Sequence, residues 1–78
     1  MNATQALARA ELELRATRYD LHASRCLAKL AACDPSARDP RPGRSGLTTS
    51  FYWRRARCNM QRAAEARAMA AILAGGAR

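Results

Sequence analysis

An all-α fold is what this 78-residue sequence predicts: a two-helix antiparallel hairpin that associates into a dimeric helical bundle. Three observations lead there. Alanine occurs 19 times, valine is absent and isoleucine occurs once, which is good helix material and poor strand material. One proline- and glycine-rich break, DPSARDPRPGRSG at 34–46, separates two long helical patterns. The first of those patterns carries more apolar surface than a single partner helix can cover.

Helix one is expected over about 3–33. Asn2 followed by Gln5 has the spacing of a capping box, so the helix starts almost at once. Asp34 precedes Pro35, whose ring disfavours helical backbone in the residue before it. At 100° per residue, Ala8, Leu12, Ala16, Tyr19, Ala23, Cys26, Leu27, Leu30 and Cys33 fall on one face, the expected contribution to the core. Leu7, Leu14 and Leu21 recur at steps of seven on the opposite side, together with Ala28. An isolated hairpin leaves that second stripe in water, so it is the expected protein-association strip.

The linker is expected over 34–49, long enough for the chain to reverse. Helix two follows over about 50–74, capped by Thr48, Thr49 or Ser50 and terminated by Gly75 and Gly76. Its expected packing face is thin and alanine-rich: Trp53, Ala56, Met60, Ala63, Ala64, Ala70, Ala71 and Ala74. Trp53 and Met60 are assigned the bulk of that face. Arg67 projects within it, expected either to snorkel from a packed surface or to pair with Glu11 or Glu13 of helix one. Residues 1–78 make one helical-hairpin domain, and at this size a single core is marginal without oligomerisation.

Charge is the second signal. The formal net charge is +8, but residues 1–34 are nearly balanced, whereas 38–57 hold six arginines against Asp39 alone. Arg38, Arg41, Arg44, Arg54, Arg55 and Arg57 are therefore the candidate anion- or nucleic-acid-binding set, suited to phosphate contacts in DNA or RNA without base recognition. The neighbouring rings of Phe51, Tyr52 and Trp53 project in different directions from a helix. They do not compose one stacking platform for single strands.

Chemistry is sparse. His22, Cys26, Cys33 and Cys58 are the only soft ligand set, and their spacing matches no compact zinc motif, so neither metal nor cofactor is expected. His22 has no evident orienting group for nucleophilic catalysis, the carboxylates form no catalytic pair, and Gly43 and Gly46 do not compose a phosphate-binding loop. The chain reads as a non-enzyme with no small-molecule substrate. The absence of an early apolar run and of any long apolar stretch predicts a cytoplasmic protein without membrane contact. Three cysteines in such a chain are expected as thiols. Its expected role is a protein-interaction or assembly accessory, either homo-oligomeric or docked on a larger protein. The alternative is a basic nucleic-acid-binding accessory.

Overall fold

The computed structural model describes residues 2–75, and α1 (Ala3–Ala32) and α2 (Thr48–Leu73) account for most of them. The helices run alongside each other as a hairpin with extents of 52 × 21 × 19 Å. Gly76, one of the two expected stop residues, lies outside the described residues.

Local chemistry sets each boundary. At the start of α1, the Asn2 side chain accepts from the Gln5 backbone N–H at 2.8 Å, and the Asn2 N–H donates to Gln5 Oε1 at 3.0 Å. Two otherwise unpartnered donors are thereby satisfied. The helix ends where Cys33 turns extended ahead of Asp34-Pro35. The Asp34 carboxylate then accepts from the Ser36 N–H at 2.9 Å and the Ser36 hydroxyl at 2.8 Å, which closes the first turn of the linker. These hydrogen bonds hold the Asp34 carboxyl below its ordinary pKa, the backbone donor contributing most.

The linker is more ordered than its composition suggests. Arg38 and Leu47 form an isolated antiparallel bridge, the Asp39 N–H donates to the Gly46 carbonyl at 3.1 Å, and the Thr48 N–H donates to Ala37 at 3.0 Å. Gly46 sits at φ +102°, where a side chain would be strained, and this permits the chain to turn back towards Arg38. The bridge also moves the start of α2 forward from the expected position near 50. Leu47 is the cap, and its carbonyl accepts from Ser50 and Phe51, so none of Thr48, Thr49 or Ser50 caps the helix through its side chain. At the far end Gly75, at φ +80°, donates to the Ile72 carbonyl at 2.9 Å and stops α2.

The seam between the helices is made of small residues. Ala16 and Ala23 of α1 and Ala56, Ala63, Ala66 and Ala70 of α2 are buried, and Asn59 is the one buried polar residue among the described residues. On α2 these positions step by three and four, 56–59–63–66–70, which is the spacing of a narrow helix-pairing seam. Leu12, Tyr19, Cys26 and Leu30 of α1 are half-buried beside it. Asn59 is tolerated because its Nδ2 donates to the Arg55 carbonyl at 2.9 Å.

Three expected core residues stand elsewhere. Trp53 is 46% exposed, Met60 40% exposed, and Leu27 is also exposed. At 100° per residue, Trp53 and Met60 lie roughly 80–100° round α2 from the centre of the seam. Ala64, Ala71 and Ala74 are exposed with them. Backbone approach along the alanine line leaves no room for those larger side chains between the axes, so they flank it.

Candidate functional site

Two flanks of the hairpin differ in chemistry, and specific contacts assign side chains to each. Arg67 of α2 hydrogen-bonds and ion-pairs with Asp20 of α1, in place of the expected Glu11 or Glu13. The antiparallel register brings Asp20 level with Arg67, while Glu13 is taken by Arg9 at 3.1 Å one turn away on its own helix. Contact with Arg67 holds the Asp20 carboxyl below its ordinary pKa, chiefly through the hydrogen bond, and raises that of Arg67 in turn. Helical projection then places Trp53, Met60 and Ala64 on the Arg67 side of α2, and Leu27 on the Asp20 side of α1. Apolar bulk and two internal ion pairs make this the neutral flank, which Arg57 bounds on the outer side of α2.

Leu7, Leu14 and Leu21 lie about a third of a turn further round α1, on its outward side. They are 69%, 52% and 50% exposed, and Ala28 is exposed with them. Between this ridge and Leu27 lie Ala10, Thr17 and Ser24, small side chains that would let a partner helix approach closely.

The opposite flank is basic. Arg62 of α2 lies over the Tyr19 ring at 5.9 Å and Lys29 of α1 over the Tyr52 ring at 5.9 Å, which ties both helices to this side. Two adjoining clefts of about 380 and 390 Å³ open here, sharing Phe51, Arg55 and Asn59. Arg41, Arg44, Arg54 and Arg62 join the first, and Arg25, Lys29 and His22 the second. Neither cleft has an acidic side chain in its wall.

The six arginines grouped by sequence are thus divided. Arg44, Arg54 and Arg55 face the first cleft. Arg41 also lines it but is engaged by Asp39: Nε donates to Oδ1 at 2.9 Å, and the guanidinium lies 3.7 Å from the Phe51 ring centre. Arg41 holds the almost fully enclosed Asp39 carboxylate at a pKa of about 2, mainly through the side-chain hydrogen bond and then through its own backbone N–H. Arg38 and Arg57 line neither cleft. Arg25, Lys29 and Arg62 were missed because the charge cluster was read along the chain. The helix return adds cations from distant positions, and the seven-residue step from Arg55 to Arg62 was the available signal.

The sulfur and imidazole groups form no centre. Among the described residues no three or more His, Cys, Asp or Glu side chains gather, and Cys26, Cys33 and Cys58 are free thiols. No helix among those residues is long and apolar enough to cross a membrane. No family model, curated protein or solved structure matches this chain. Its two flanks are therefore the basis for assigning a role.

Proposed function

We propose that this chain is a non-enzymatic helical assembly module whose core is completed by a second copy of itself. The observation that carries this is an inversion of bulk: alanines fill the seam, while leucines, methionines and the tryptophan stand outside it. The accessible surface is 5869 Å². A compact monomer of 8.5 kDa would expose about 4,650 Å², so the excess is about 1,200 Å². Each partner in a standard interface covers about 800 Å². A second hairpin can therefore supply the burial that the first lacks.

Charge favours a second copy on the neutral flank. A chain of net charge +8 repels itself through its basic side. On the neutral flank, Asp20–Arg67 and Arg9–Glu13 cancel locally, leaving Leu27, Trp53 and Met60 to meet their counterparts. A two-fold arrangement suits this because one self-complementary patch serves both copies. The Leu7–Leu14–Leu21 ridge borders the same surface and extends the contact. We also place the protein in the cytoplasm, a compartment in which its three unpaired cysteines would stay reduced.

The test is sedimentation of three proteins: the native chain, Leu27→Glu/Met60→Glu, and Leu7→Glu/Leu14→Glu/Leu21→Glu. The native chain is expected as a dimer, the flank double variant as a helical monomer, and the ridge triple variant as a weakened dimer. A native chain that stays monomeric at hundreds of micromolar refutes the proposal. So does a flank double variant that dimerises like the native protein.

A further inference from the structure

We infer that the basic flank is a binding site for the phosphate backbone of duplex nucleic acid. It lies away from the neutral flank and stands whether or not the chain dimerises. Six cations carry it: Arg25, Lys29, Arg44, Arg54, Arg55 and Arg62. The ion pairs among the described residues are Arg9–Glu13, Arg41–Asp39 and Arg67–Asp20, so none of the six has a carboxylate within ion-pair distance. Their concentration in two joined, acid-free clefts focuses positive potential along one side of the hairpin.

Placement favours a polyanion over a single small anion. Arg55 and Arg62 are one heptad apart on α2, about 10 Å along the axis, and Arg25 and Lys29 are about 6 Å apart on α1. Arg44 and Arg54 extend the positive surface towards the linker. A row of regularly spaced phosphates can engage such a surface at several points at once, with counterion release as the driving term.

The rings select against base stacking. Phe51 is covered by Arg41 at 3.7 Å, with Arg55 at 5.5 Å from the same ring, and Lys29 lies over Tyr52. The Phe51 and Tyr52 centroids are 5.2 Å apart at a tilted angle, so they brace one another and the cations above them. Single-strand binding relies on ring faces open to bases. These rings instead position guanidinium and ammonium groups, which suits duplex phosphates contacted without sequence preference.

The experiment is fluorescence anisotropy with a labelled 20-base-pair duplex, in DNA and RNA forms, over 50–300 mM KCl. Binding should weaken linearly on logarithmic axes, with a slope of about −5 if all six cations meet phosphates. Arg55→Gln/Arg62→Gln should make the slope shallower by about 2 and weaken binding at least about tenfold at 50 mM salt. Arg38→Gln/Arg57→Gln removes the same charge outside the clefts and should leave the slope unchanged, with circular dichroism confirming that both variants fold. Binding of either duplex with this pattern supports the site. Four outcomes overturn it: no duplex binding at 50 mM salt; equal weakening by both double variants; tighter binding to a single strand with the same number of phosphates; or competition by polyglutamate as effective as by unlabelled duplex. The last would make the flank a surface for acidic protein.

Discussion

Enlarging Ala63 tests the packing most sharply, because the seam depends on its small size. Ala63 is 1% exposed and belongs to the buried cluster with Ala16 and Ala66, against which Tyr19 packs. Ala63→Leu adds three carbons where two backbones approach. The helices must separate or the side chain must leave its preferred rotamer, at a cost of about 1–3 kcal/mol. In a domain of this size each kcal/mol corresponds to roughly 4–8 °C in Tm, so a fall of about 10 °C is the central expectation. Thermal unfolding followed by circular dichroism at 222 nm reads it directly, at one fixed protein concentration because association alters Tm. Ala68→Leu is the matched control: Ala68 is exposed on the outer side of α2, and the change should stay within about 0.5 kcal/mol. An undiminished Tm for Ala63→Leu, with a loss for Ala68→Leu, would mean that α2 is rotated from the seam described.

Further outcomes follow from the caps, the linker and the carboxylates. Asn2→Ala removes the capping box and should reduce stability by about 1 kcal/mol, with faster hydrogen exchange confined to the first turn of α1. Gly46→Ala meets no steric neighbour, but its φ of +102° strains any side chain, so chemical denaturation should show a loss of about 1 kcal/mol with helicity retained. Depressed carboxyl pKa values favour the folded state above the ordinary aspartate range and lose that contribution as pH falls through the folded values. For Asp39 that window runs from about pH 4 down to its folded value of about 2, and Trp53 fluorescence during acid titration should report loosening there. Asp39→Asn should remove that part of the acid transition; an unaltered profile would disconnect the Asp39–Arg41 contact from linker order.

The helices were legible in the sequence because their ends carry chemistry that acts locally. Asn2 with Gln5, Asp34-Pro35 and Gly75 act within a turn of themselves, so α1 and the stop of α2 could be read residue by residue. The start of α2 depends on the Arg38–Leu47 bridge, a tertiary contact that turn composition does not encode. The α1 seam was readable because Leu12, Ala16, Tyr19, Ala23, Cys26 and Leu30 repeat with contrast against charged neighbours. On α2, alanine occurs at both 63 and 64 and at both 70 and 71, so two helical phases compete. The expected face spans both, with Ala56, Ala63 and Ala70 of the seam beside Trp53 and Met60, and bulk assigns the weight to the latter pair. The backbone instead follows the small residues, with Asn59 among them, and a hydrophobic ranking rejects asparagine.

That rotation also decided which cations could share a surface. Arg54 and Arg55 could be seen as outward-facing, but the pairing of Arg55 with Arg62, and of both with Arg25 and Lys29 across the hairpin, needs the α2 phase and the antiparallel register. Arg41 needed the linker fold as well, since Asp39 is its partner only two residues away. Charge runs identify supply; the helix rotation identifies address.

If the hairpin completes its core with a second copy, as proposed, sedimentation equilibrium of the native chain from 10 to 500 µM will show it without any substitution. Convergence on twice the 8.5 kDa chain mass is expected as concentration rises. A mass that remains at 8.5 kDa across that range would contradict it.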